Sequence, residues 1–313
     1  MTADTHWDVV IVGGGAAGLS AALILARARR RVLVLDGGEP RNRFAPHMHG
    51  VLSRDGYSPL DLVADGRREV TAADGVIRSA RVVSVTGAAG AFELVTDGGE
   101  RIHCSRVIVA TGIRDELPDI PGLAERWGRG AVACPYCDGF ESRGKRIGVL
   151  LGSPAGLHKA HLLRAYSTDV TVLSGRAGEV PSGDLRALAA RGIRVDDRMT
   201  AAITSDGDTL TGMQFTDGTT LAIDALFVDP RMLALDDLLR QLGVDQIDTP
   251  VGPWTATDST FQTSVPGVYA VGNVANPSAL VPIASAMGVT AAVTINAELV
   301  AHDVAAAIER DAA

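Results

Sequence analysis

The segment Cys134-Pro135-Tyr136-Cys137, followed by Asp138-Gly139, combines residue types that do chemistry at short spacing. Two thiols this close can form a strained, reducible ring, and a thiolate of lowered pKa attacks other disulfides. The carboxylate beside Cys137 is placed to carry a proton during such an exchange. A zinc site is the competing use of the pair. It needs two further ligands, and the compact candidates, His47 and His49, do not stand at a standard zinc spacing, so no metal is expected. The chain has 3 cysteines, neither the number nor the parity of a secreted disulfide scaffold. The third, Cys104, is expected to be buried core.

A second chemical signal is Gly13-Gly14-Gly15-Ala16-Ala17-Gly18. It follows the apolar run Asp8–Val12 and opens a helix over Leu19–Arg30, and Asp36 closes the next strand, Arg31–Leu35. Glycine there lets the backbone approach a pyrophosphate. The helix end offers N–H groups and a positive dipole, and the acid can accept from a ribose. Ala110-Thr111-Gly112 and Gly267–Asn273 are two further strand ends with glycine. Taken singly, each is equally well explained as core.

These residues need a frame to hold them. Val82–Thr86, Phe92–Thr96 and Arg101–Ile102 alternate around glycine-rich turns and predict a small antiparallel meander, with Val107–Ala110 a separate buried strand. After the cysteines, strand Ile147–Leu151, turn Gly152–Gly156, helix Leu157–Tyr166 and strand Val170–Leu173 repeat the first pattern. A boundary is expected near Asp115–Gly122, and a final helix from about Ala279 to His302. The fold class expected is α/β, with two Rossmann-like three-layer domains.

Composition agrees with such a frame. The chain has 313 residues, enough for two domains, with 46% apolar and 21% charged residues, which excludes a disordered chain. With 29 Lys+Arg against 37 Asp+Glu the formal charge is −8, which argues against a nucleic-acid partner or an anionic membrane surface. The two uncharged stretches Val9–Ala26 and Ser278–Ala297 are interrupted by glycine or polar residues and read as core, and the first lacks a basic leader region. A cytoplasmic location is expected.

Taken in order, the GxGxxG, the Ala-Thr-Gly, the Cys-x-x-Cys-Asp-Gly, the second nucleotide unit and Gly267-Val268-Tyr269-Ala270-Val271-Gly272-Asn273 resemble the low-molecular-weight thioredoxin reductase-type flavoproteins over essentially the whole chain. A glutaredoxin shares only the Cys-Pro-Tyr-Cys, and carries it on the first helix of a small domain. The resemblance implies FAD on residues 1–114 and 247–313, an inserted domain over 118–244, and a homodimer. By family pattern Gly13, Gly15, Gly18 and Asp36 hold the ADP half, and Thr111, Gly112, Gly272 and Asn273 lie along the rest. The same pattern extends the cofactor-binding set to Ala16, Ala17, Gly37, Arg41, Asn42, His49, Val83, Ala110 and Val281. Asn273 stands where the family usually has Asp.

Other departures bear on function. The second turn reads Leu151-Gly152-Ser153-Pro154-Ala155-Gly156, so Leu and Ser replace the first and third positions where the family has glycine. Leu151 is expected to block pyrophosphate approach, and Pro154 removes a donor. Ser174-Gly175-Arg176 replaces a His-Arg-Arg cluster for a 2′-phosphate, and Leu280-Val281-Pro282 replaces an Arg-Gln-Ala at the flavin. A kept cysteine pair beside a degraded NADPH turn is similar to the flavin-dependent dithiol oxidases of holomycin, gliotoxin and romidepsin biosynthesis, most of all the holomycin-type bacterial enzymes. The loop Arg41-Asn42, His49-Gly50, Asp55-Gly56 is shared with them. This resemblance implies a small-molecule dithiol as substrate. Cys134 forms the mixed disulfide, Cys137 passes electrons to FAD, and O2 is the acceptor, giving H2O2. Asp138 acts as acid/base, with His47 or His49 assisting. Specificity is expected in Phe44–Tyr57, Trp127, Tyr136 and Phe140. An NADPH- or ferredoxin-linked thioredoxin reductase stays open as a second reading, and a flavin-binding redox sensor as a third.

Overall fold

The computed structural model describes residues 6–250 and 252–312. They form two compact units: 1–41, 60–114 and 232–313 make the first, and 42–59 with 115–231 the second.

The first unit is built on Trp7–Val12, a run of Val and Ile whose alternate residues all find cover. Val9 and Ile11 enter one apolar cluster and Val10 and Val12 another, so the strand lies inside a sheet buried on both faces. The parallel order is Val76–Ser79, Val32–Asp36, Trp7–Val12, Arg101–Val109, Val268–Ala270. Helix Ala16–Arg27 packs on helix Val281–Asp311 so closely that a Cβ at Gly288 would collide with the carbonyl of Ala17. The long helix spends Ala284, Met287, Ala291, Ile295 and Leu299 on this core and leaves Val293, Val304 and Ile308 exposed. By length and composition alone it could cross a membrane.

Three expectations change here. Arg101–Val109 is one strand, not two, because it changes partners: its first half pairs antiparallel with Ala91–Thr96, its second half parallel with Trp7–Val12. Helix Pro59–Ala72 and strand Val76–Ser79 fill a stretch with no element assigned from sequence. The chain returns to the first unit at 232 rather than 247, because Leu238, Leu239 and Val244 join the cluster of Val10 and Phe92.

The second unit repeats the plan. Its parallel order is Arg194–Asp196, Val170–Leu173, Ile147–Leu150, Ala225–Val228, Ala131–Val132. An antiparallel meander, Thr200–Asp206, Thr209–Phe215 and Thr220–Ala222, is inserted before Ala225–Val228, the last of these strands in chain order. Segment 42–59, expected with the N-terminal domain, belongs to this unit. Gly128, at φ +78°, lies so close beneath Phe44 that an added Cβ would stand 2.6 Å from the Phe44 carbonyl oxygen. Both units are therefore doubly wound α/β sheets with an antiparallel meander.

Candidate functional site

The cysteine pair follows the edge strand Ala131–Val132, at the carboxyl end where parallel sheets place their ligands. Pro135 starts the short helix Pro135–Asp138 with its fixed φ, and Cys134 caps it: the Cys134 Sγ accepts from the Cys137 N–H at 3.2 Å. The two cysteines are joined as a disulfide, both half-buried. Gly139 ends the turn because Tyr166 packs on it; an added Cβ would stand 2.6 Å from the ring. Tyr136 and Phe140 flank the disulfide at 66% and 61% exposure, with the Arg143 guanidinium 3.2 Å from the Phe140 ring centroid.

Asp138 is half-buried. Burial pushes its carboxyl up to about 6; Glu141 adds to the rise and His49 opposes it. His49 comes from the 42–59 segment. Its Nδ1 lies 3.6 Å from Asp55 Oδ2 and 3.8 Å from Glu141 Oε1. Asp55 accepts from the Gly50 N–H at 2.8 Å, and a bridge between Met48 and Tyr57 closes the loop. Of the two histidines expected to assist, His49 is thus brought to Asp138, while the His47 Nδ1 is spent on the Gly56 carbonyl at 3.0 Å. His49 and Asn42, assigned to cofactor binding by resemblance, lie in the second unit with the cysteines, and Arg41 ends a segment of the first. Glu141 was missed by sequence reasoning; its signal is a carboxylate three positions after Asp138, one helical turn away.

In the first unit the GxGxxG is a close-packed cradle. A Cβ at Gly13, which sits at φ +109°, would collide with the Ala110 carbonyl, and one at Gly18 with Gly13 itself, while Gly15 faces open space. Gly15 is the cap residue of helix Ala16–Arg27, and among the described residues no side chain caps that end. Its first N–H groups are therefore left to a ligand. Asp36 accepts from the N–H groups of Gly14 at 3.0 Å and Gly38 at 3.2 Å, and from Arg67 at 2.8 Å. It clamps the turn as well as offering lone pairs to a ribose, and Arg67 is a partner that the sequence did not reveal. Gly37 lies against Arg81. Thr111 Oγ1 donates to the Leu235 carbonyl at 2.6 Å, and Gly112, at φ +72°, faces open space. Val83 is exposed at a bulge, its carbonyl accepting from Gln241. Gly272 packs on Ala17, and Val281 starts the last helix. Asn273 donates its amide to the carbonyls of Asn276, Pro277 and Ala279 at 3.1, 3.2 and 3.0 Å. An open glycine turn at an uncapped helix end fits a dinucleotide pyrophosphate, so the residues present suit FAD.

The second turn is built differently. Leu151 was expected to obstruct a ligand, but its side chain is 1% exposed and belongs to the core. Pro154–Gly156 is a 3-10 turn headed by proline. The Asp229 carboxylate overhangs it, and an added Cβ at Gly156 would be 2.9 Å from Asp229 Oδ2. Lys159 holds that carboxylate at 3.0 Å and also donates to the Val228 carbonyl. Arg176, the one remaining arginine of the expected phosphate cluster, donates to Thr200 Oγ1 and to the Thr200 carbonyl, both at 2.9 Å.

The chain is similar to known proteins over most of its length. Residues 7–288 match the family model described as pyridine nucleotide-disulphide oxidoreductase. "Thioredoxin reductase sirT" of Leptosphaeria maculans is 32% identical over 97% of this chain and 98% of its own length. "Thioredoxin reductase tcpT" of Claviceps purpurea (strain 20.1) is 34% identical over 85% of this chain and 86% of its own. Among solved structures, that of HlmI superposes with a TM-score of 0.93 at 44% identity, covering 100% of this chain and 98% of that one.

Proposed function

Because the chain belongs to the pyridine nucleotide-disulphide oxidoreductase family, thioredoxin reductase-like flavoproteins that exchange electrons with disulfides, we propose that it works in the oxidising direction, converting a small-molecule dithiol of natural-product type to its cyclic disulfide. One observation carries this reading: Asp229 and Lys159 fill the second nucleotide turn with an internal ion pair. A pyrophosphate brought there meets a carboxylate of like charge, a proline without an N–H and an arginine already tied to Thr200.

In the proposed reaction Asp138 takes the proton of one substrate thiol. The thiolate attacks Cys134 Sγ, the Cys134–Cys137 bond breaks, and its electron pair leaves on Cys137. The second substrate thiol, deprotonated in turn, attacks the substrate sulfur of the mixed disulfide and expels Cys134. One substrate S–S bond is formed and one enzyme S–S bond is reduced, with two protons to be released. FAD, which Gly13, Gly15, Gly18 and Asp36 would hold, would supply the two-electron acceptor that restores the disulfide, with O2 as terminal acceptor taking up the two protons as H2O2. The exposed rings of Tyr136 and Phe140 offer an apolar rim to a compact substrate. The same reading takes the protein as a cytoplasmic homodimer.

The test is anaerobic. The visible flavin band of the purified protein is followed while dithiothreitol, and separately NADPH, is added. Bleaching by the dithiol alone, with colour restored by air and H2O2 formed, is the expected result. Rapid bleaching by NADPH would make the protein a reductase.

A further inference from the structure

Asp138 is the acid/base group of the proposed reaction, and two other ionisable side chains, His49 and Glu141, act on it, while a third, Asp55, faces His49. His49 and Asp55 come from the loop before helix Pro59–Ala72, and Glu141 from the turn that follows the cysteines. The His49 side chain is 20% exposed. Its Nδ1 is buried and has no hydrogen-bond partner among the described residues, although Asp55 Oδ2 and Glu141 Oε1 stand 3.6 and 3.8 Å away. A ring nitrogen between two carboxylates, just beyond hydrogen-bond length of both, is an electrostatic arrangement rather than a fixed bond.

We propose that His49, held between Asp55 and Glu141, is a positioning residue that sets how tightly Asp138 holds the thiol proton. The inference rests on the acid/base role given to Asp138 above. The groups that face Asp138 act in opposite senses. A protonated His49 favours its carboxylate and draws the proton away; Glu141, being of like charge, and burial both favour the neutral acid. Asp55 Oδ2 faces His49 at 3.6 Å, while its other oxygen binds the Gly50 N–H and so keeps the histidine loop closed. A general base works best with its proton affinity near the working pH. Burial brings Asp138 toward that range, and the two opposed neighbours adjust it, one of them supplied by the loop.

The experiment reads Asp138 directly. Infrared difference titration of the oxidised protein follows its protonated carboxyl band, assigned by its loss in Asp138→Asn. His49→Gln removes the opposing positive charge and is expected to raise the midpoint by about one pH unit, a tenfold gain in proton affinity. Glu141→Gln is expected to lower it by a similar amount. In parallel, the acid limb of the pH profile for oxygen uptake with dithiothreitol moves in the same two directions. Midpoints unmoved by either substitution, or moved in the same direction by both, would overturn the proposal. If His49→Gln does not fold, His49→Asn carries the same test, with the same rise expected and an unmoved midpoint overturning the proposal. Loss of oxidase activity in the wild-type assay, with infrared midpoints that still diverge, would sink the oxidase reading and leave this one standing.

Discussion

The side-chain amide of Asn273 donates to the carbonyl oxygen of Ala279 at 3.0 Å, and to two carbonyls before it. This explains the departure from the Asp usual in thioredoxin reductase-type chains. Three acceptors converge on the group, and an ionised carboxylate has nothing to donate. The Asn273 backbone carbonyl also receives the Trp254 indole N–H at 3.0 Å, so the segment leading into the last helix is pinned from two sides.

Asn273→Asp is therefore expected to destabilise the protein by about 1–3 kcal/mol at pH 7, the range for leaving half-buried polar groups facing the wrong partner. The cost should shrink on acidification, because the protonated acid regains one donor. Melting curves of the variant and wild type at pH 4.5 and pH 7.5 check this; an equal difference at both values would show that the amide bonds are not what the position needs.

Replacing Asp229 tests the basis of the functional reading. Asp229→Asn removes the negative charge above Gly156 and releases Lys159 from its ion pair at the same turn. Two unit charges about 4 Å apart interact by roughly 1 kcal/mol in water and roughly 4 near a protein surface. The variant should therefore bind NADPH at least about tenfold more tightly than wild type in calorimetric titration. Unchanged affinity would mean that the proline-headed 3-10 turn, not the carboxylate, excludes the nucleotide.

The elements that hold the chemistry could be read from local pattern. Val9–Val12 and Val107–Val109 are apolar runs that only a doubly covered sheet can use, and the glycine turn needs its three small positions whatever lies beyond it. The partners of that chemistry could not. Arg67 reaches Asp36 from a helix 31 positions away, and Asp229 reaches the turn at Gly156 from the end of Ala225–Val228, which pairs with Ile147–Leu150 although two other strands of the sheet come between them in the sequence. No period in the sequence encodes such pairs; they exist only once strand order is set. The placing of residues 42–59 with the second unit depends in the same way on the close approach at Gly128 and on the contact of His49 with Glu141. Leu151 differs for another reason: residue type does not show where a side chain points, and the residue directly after the buried strand Ile147–Leu150 sends its side chain into the core.

Asp138 should make the protein less stable while making it active. In the folded state its carboxyl is pushed up to about 6, chiefly by burial, from an ordinary value of 3.8. The folded protein then binds this proton more tightly than the unfolded chain does, so stability is lost as pH rises from about 4 through 6, and the deficit persists above that. Two units correspond to about 3 kcal/mol at most, and partial solvent access reduces this to about 1–2. Asp138→Asn, neutral at every pH, should unfold at a higher urea concentration than wild type at pH 8 and at about the same concentration at pH 4. Its oxygen uptake with dithiothreitol should fall by about 10²-fold, the usual loss when a positioned general base is removed. A variant less stable than wild type at pH 8 would show that the carboxylate is held by favourable contacts rather than strained by burial. A variant of unaltered activity would take the acid/base role away from Asp138.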